Sequence, residues 1–108
     1  MANNYSYKFA SIALRDLEEL LEYIDKQLSN PKAAKDFAVE LFGKIDNIRA
    51  FPESGAKIDN EFISDQSLRK FFVGKYIVFY KPDKSTETII IVRIIYGARN
   101  IDELVKTV

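Results

Sequence analysis

The sequence predicts an α+β fold: an N-terminal strand, an antiparallel helical hairpin packed on a mainly antiparallel sheet, and a short C-terminal helix. Three observations lead there. Two stretches with apolar residues at helical spacing meet at Ser29-Asn30-Pro31, and beyond Leu68 the apolar period becomes that of strands. Strand-like runs after Leu68 are separated by Gly74-Lys75 and by Pro82-Asp83-Lys84-Ser85, the signature of a three-strand meander. At 108 residues, with no repeat, low-complexity tract or second core, residues 1–108 read as a single domain.

The N-terminal half comes first. Tyr5 to Phe9 alternates aromatic with polar residues, a short strand with one buried face. Ser11 can cap the first helix, in which Leu17, Leu20, Leu21, Ile24 and Leu28 recur at helical spacing. Its Asp16, Glu18, Glu19, Glu22 and Asp25 mostly face water. Asn30 is the expected N-cap of the second helix and Pro31 lies in its first turn. Ala34, Phe37, Ala38, Leu41, Ile45 and Ile48 form its stripe, and so short a connection makes the pair an antiparallel hairpin. Phe51-Pro52-Glu53-Ser54-Gly55 stops that helix. Residues 56–66 read as a polar, acidic connection anchored by Ile58, Phe62 and Ile63. The meander strands are Leu68–Val73, Tyr76–Lys81 and Thr88–Tyr96, and Asn100 or Asp102 opens a last helix through Leu104.

Composition narrows the chemistry. The chain is 47% hydrophobic and 30% charged, which fits a soluble globular domain and not a disordered one. The polar opening MANNYSYK lacks the apolar run of a signal peptide, and no stretch approaches the roughly 18 apolar residues of a membrane span. A cytoplasmic location is the expectation, without a membrane partner. There is no cysteine and no histidine, so thiol nucleophiles, thiolate or imidazole metal sites and the usual neutral-pH base are all missing. No cofactor or metal is expected.

A net charge of zero hides an asymmetry. Residues 67–108 carry eight basic and four acidic side chains, a balance of +4, and residues 51–66 carry one basic and four acidic. An anionic partner would meet the C-terminal third. Arg69, Lys70, Lys75, Lys81 and Lys84 interleave with Phe71, Phe72, Tyr76, Phe79 and Tyr80. Such a pattern suits single-stranded nucleic acid, but a half-buried strand yields the same string, and that reading is favoured for the aromatics as a group. Strict alternation puts Ile89, Ile91, Arg93 and Ile95 on one face of the last strand. An arginine in line with isoleucines must be paired or reach open water at the sheet's rim, and the first helix, rich in Asp and Glu, can supply the partner. Arg99, beyond Gly97, reads equally as a solvated arginine near Asp102 or Glu103 and as a phosphate- or acid-binding group. Tyr96 can stack on a base or cover the sheet's edge.

The strings LRKFFVGKYIVFYKP and IIIVRIIYGARNIDELV, preceded by a helical hairpin and IRAFPESGAK, resemble the RelE/ParE superfamily of type II toxin–antitoxin toxins over about Tyr7 to Val105. The resemblance implies the same fold and a toxin neutralised by an antitoxin encoded beside it. RelE-like members cleave mRNA in the ribosomal A site; ParE-like members poison DNA gyrase. Carried over, Lys70 matches a RelE-type lysine and Arg99 the arginine after the strand-ending glycine. The RelE-type strand arginine falls on Ile77 and the C-terminal tyrosine on Val105. Acid–base cleavage needs a proton carrier at the 2′-OH, which a valine cannot supply. A pI near 6.3 agrees, since ribosome-targeting toxins of this size tend to be strongly basic.

The expectation is therefore a ParE-like, plasmid-stabilisation-type toxin that binds gyrase and is not an enzyme. Lys70, Lys75, Tyr76, Tyr80, Arg93 and Arg99 are the candidates for touching target or antitoxin. Two alternatives stand beside it. One is a metal-independent, ribosome-dependent endoribonuclease using Arg69, Lys70, Arg99 and Tyr96; the other is a toxin-fold protein that only binds a partner. A homodimer or a toxin–antitoxin hetero-oligomer is the expected assembly.

Overall fold

The computed structural model describes residues 4–58, 60–97 and 104–106. Its elements are β1 (Ser6–Phe9), α1 (Ser11–Glu22), α2 (Pro31–Ala50), β2 (Ala56–Lys57), β3 (Arg69–Val73), β4 (Tyr76–Asp83) and β5 (Thr88–Tyr96). Residues 104–106 are helical. The sheet order is β1-β5-β4-β3-β2, with β1 parallel to β5 and the other neighbours antiparallel. Among the described residues no helix is long and apolar enough to cross a membrane.

The helical hairpin forms as its sequence dictates, with two departures. Asn30 Oδ1 accepts from Ala33 N at 3.1 Å, satisfying an orphan donor of α2. Ser11 does not cap α1. Ala10 holds that position, its N–H bonded to Ile91 O at 2.9 Å, so the chain passes directly from strand into helix. The first helix also ends in a π-helical turn, Tyr23–Gln27, closed by Leu28 N to Tyr23 O at 3.1 Å. The extra residue rotates the positions beyond it by about 100° around the helix axis. Leu28 consequently leaves the buried stripe and is 55% exposed, and Ser29 absorbs the reversal at φ +49°.

Hydrophobic layers cover both faces of the sheet. On one face α1 and α2 bring Leu17, Leu20, Phe37, Leu41 and Ile45 against Val73, Val78, Tyr80, Ile89, Ile91 and Ile94. On the other, Ile63, Leu68 and Leu104 close over Ile77, Phe79 and Ile95. The connection after α2 is more structured than its polarity suggests, because Ala56 and Lys57 pair with Lys70 and Arg69 as a short edge strand. Of its expected anchors, Ile63 is buried, Ile58 is half-buried, and Phe62 is 70% exposed. The β4–β5 turn lies two residues later than expected: Asp83 Oδ1 accepts from Ser85 N and Oγ and from Thr86 N, and both Pro82 and Asp83 stay within β4.

Strict alternation fails in β5. Phe79 faces Arg93 while Tyr80 faces Ile91, which leaves Val92 without a partner on β4. This β-bulge shifts the pleat by one residue. Ile94 joins Ile89 and Ile91 on the helical face, while Ile95 packs with Val92 on the far face. Arg93 and Ile94 thus both turn towards α1.

Candidate functional site

The basic and aromatic candidates do not converge on one surface. Lys70 and Phe72 stand on the far face of β3, opposite Phe79 and Ile77 of β4, and the Lys70 ammonium lies 5.8 Å from the Phe72 ring centroid. Lys81 shares that face and pairs with Asp65 at 3.6 Å. The Asp65 carboxyl is held below its ordinary range, first by the Ser67 hydroxyl and N–H and then by Lys81. Between these cations the sheet is apolar. Ile77 is buried in the far-face core and Val105 packs against the same cluster.

Arg69 points the other way. Its Nη1 donates to Glu53 O at 3.0 Å and Gly55 O at 2.8 Å, pinning the chain between α2 and β2. Tyr80 belongs to the same clasp: its hydroxyl donates to Pro52 O at 3.0 Å and accepts from Gly55 N at 2.9 Å, and the side chain is fully buried. Burial pushes its phenol above the ordinary value, and the Gly55 N–H opposes this. Tyr80 thus offers no surface to a partner in this structure. Tyr80→Phe is expected to cost about 1–3 kcal/mol, because it strands the Gly55 N–H and the Pro52 carbonyl. Urea denaturation should show a lower midpoint with an unchanged slope.

Arg93 is also engaged within the fold. Its Nε and Nη2 donate to Asp16 Oδ2 and Oδ1 at 2.8 and 3.0 Å, and Ile94 N donates to Asp16 Oδ2 at 3.0 Å. The acidic partner expected from the first helix is Asp16, and the bulge lets one carboxylate hold two consecutive residues of β5. Arg99 lies outside the described residues.

The remaining candidates gather at one end of the sheet. Lys75 is exposed in the β3–β4 turn, where Gly74 takes φ +56° and the Lys75 carbonyl accepts from Gly97 N at 2.9 Å. Tyr76 lies between Phe37 and Tyr96, with ring centroids 5.5 and 5.6 Å away. Beside them runs a groove of about 630 Å³ between α1 and β5. Its helical wall is Asp16 and Glu19 of α1 and Tyr23 of the π turn, spaced i, i+3 and i+7. Periodicity counted the two carboxylates as water-facing and did not single out Tyr23. That spacing was the available signal, but nothing in the sequence says which strand end it faces.

Chemically, the arrangement offers cations, aromatic faces and one acidic aromatic groove. Among the described residues, no three His, Cys, Asp or Glu side chains converge to hold a metal ion. Lys44 reaches from α2 to the Phe72 carbonyl on the outer edge of β3, next to the two-residue β2, where strand pairing stops.

The family model for the "ParE toxin of type II toxin-antitoxin system, parDE" matches residues 7–101. No curated protein sequence matches the chain. Among solved structures, the chain resembles one in the toxin–antitoxin complex RelBE2 of Mycobacterium tuberculosis, with 20% identity and a TM-score of 0.61. That match covers 87% of this chain and 99% of the other. It also resembles one in the chromosomal ParDE system of P. aeruginosa, with 16% identity and a TM-score of 0.67, over 88% of this chain and 98% of the other. These likenesses are of fold.

Proposed function

Because the chain belongs to the ParE toxin family of type II toxin–antitoxin systems, we propose that it poisons DNA gyrase by binding, without chemistry of its own, until an antitoxin neutralises it in the cytoplasm. One observation carries this reading. The two positions at which the RelE-type resemblance calls for polar catalytic groups, Ile77 and Val105, pack in the apolar far-face core. A ribose 2′-OH placed there would find no proton carrier. The balanced charge, sixteen basic against sixteen acidic side chains, points the same way. A ribosome-dependent endoribonuclease is the second reading, and the exposed Lys70 beside Phe72 is what favours it.

One pair of assays separates them. Purified toxin is expected to inhibit gyrase supercoiling and to leave message intact on translating ribosomes with a defined A-site codon. Unchanged supercoiling at saturating toxin sinks the gyrase reading. Cleaved message that disappears in Lys70→Ala establishes the nuclease instead. A chain that arrests neither activity nor growth is a toxin-fold binding protein.

A further inference from the structure

We propose that the groove between α1 and β5 seats an arginine side chain of the antitoxin; this rests on the reading that the chain has such a partner. The groove is lined by Glu19 of α1, by Tyr23 of the π turn that follows it, by Tyr76 and Tyr96 at the strand ends, by Leu20, Ile94 and Ile95, and by the paired Asp16 and Arg93. Its inner carboxylate is already used, since Asp16 accepts from Arg93 and from Ile94 N. Its outer one is not. Among the described residues the Glu19 carboxylate makes no ion pair or hydrogen bond, and it stands exposed one helical turn from Asp16. Tyr23 and Tyr96 are 49% and 43% exposed, so both rings offer faces to an occupant.

An unpaired carboxylate that shares a groove with tyrosine rings is complementary to a cation with a flat, weakly hydrated head and an apolar stem. The ring faces attract it by their quadrupole, the carboxylate takes two N–H donors, and Leu20 covers the methylenes. Arginine meets all three demands, whereas a lysine ammonium is more strongly hydrated and cannot form the planar fork. The Glu19 carboxylate disfavours a nucleic-acid backbone, which is itself anionic. A second copy of the chain is a poor source among the described residues. Its Arg49, Arg69 and Arg93 are bound within their own fold, and Arg15 lies on α1 itself. An acidic antitoxin segment on the Lys70 face and an arginine in this groove would give the two proteins opposite charge signs at two places. That fixes their register as well as their affinity.

The test is titration of the toxin with the product of the adjoining reading frame, at physiological salt. Glu19→Gln and Tyr23→Leu are each expected to weaken binding about tenfold, and Glu19→Arg by about a hundredfold. Glu18→Gln, on the same helix but outside the groove, is expected to bind like the parent. One antitoxin arginine, changed to alanine, should lose the same factor and lose nothing more against Glu19→Gln. All these variants should keep the parent's Tm, which separates a lost contact from a lost fold. Parent-like affinity in Glu19→Gln and Tyr23→Leu overturns the arginine seat and leaves the antitoxin reading standing. Coupling of Glu19 to a lysine overturns the arginine. If Glu19→Gln instead abolishes self-association or gyrase inhibition with antitoxin affinity intact, the groove belongs to a second copy or to the target. No binding of the parent overturns both proposals.

Discussion

Asp16→Ala is expected to lower the free energy of unfolding by about 3–5 kcal/mol, the loss associated with removing one partner of a buried ion pair. The Asp16 and Arg93 side chains are 13% and 10% exposed, and the carboxylate accepts three donors at 2.8–3.0 Å. Without it, a guanidinium stays among Ile91, Ile94 and α1, and the Ile94 N–H loses its acceptor. The groove beside the pair admits water, which favours the lower half of that range. A loss of this size would move Tm by roughly 15–25 °C in a chain of this length. Urea denaturation at pH 7 checks it, and a loss below about 1 kcal/mol would show that the pair is not buried in effect.

The double variant Asp16→Leu with Arg93→Met separates the ion pair from the backbone contact. Replacing a buried pair by apolar groups is often neutral or stabilising. Part of the single variant's loss should therefore return, and the remainder, about 1–3 kcal/mol, includes the cost of the unpaired Ile94 N–H. This matters for the proposed groove. Asp16 and Arg93 hold α1 against the bulged part of β5, and they fix the separation between Glu19 and Tyr23 on one side and Tyr96 on the other.

Local periods made much of the fold legible in the sequence. The stripes of α1 and α2, the Asn30 cap and the two-residue Gly74-Lys75 turn are all local, and all formed. The three meander strands came out within two residues for the same reason. The misses have non-local causes. A π turn inside a continuous apolar pattern removed Leu28 from the stripe, and a bulge opposite Phe79 and Tyr80 reversed the faces of Ile94 and Ile95. Strand pairing by Ala56 and Lys57 depends on β3, thirteen or so positions away, and no periodicity fits in two residues. Arg69 and Tyr80 read as surface candidates because charge and aromaticity are visible in a string, whereas the alignment of Arg93 with isoleucines already points to an acidic partner on the first helix. Their partners, a set of loop carbonyls and one carboxylate, are fixed only by the tertiary fold. Glu19 and Tyr23 were passed over for the converse reason: on an acidic amphipathic helix, a residue facing a groove is written like one facing water.

Gly55→Ala is the second large effect, and its cause is space, not torsion. Gly55 is buried and has no positive φ that only glycine could accept. A methyl group there would overlap the Tyr80 hydroxyl and lie 2.7 Å from Tyr80 Cε1 and 2.9 Å from the Lys70 carbonyl. None of these can yield cheaply. The ring is fully buried in the helical-face core, and the Lys70 carbonyl belongs to the strand that pairs with Ala56. The loop must therefore lift, which breaks the bonds from Gly55 N and Pro52 O to Tyr80 and loosens Gly55 O from Arg69. Overpacking together with these losses amounts to about 2–4 kcal/mol. Combining the change with Tyr80→Phe tests the mechanism. Phenylalanine removes the nearest clashing atom and has no hydroxyl bond left to lose, so the two losses should sum to at least about 1 kcal/mol more than the double variant shows. Strict additivity would mean that the methyl group is accommodated elsewhere and that the Tyr80 hydroxyl does not hold this loop on the sheet.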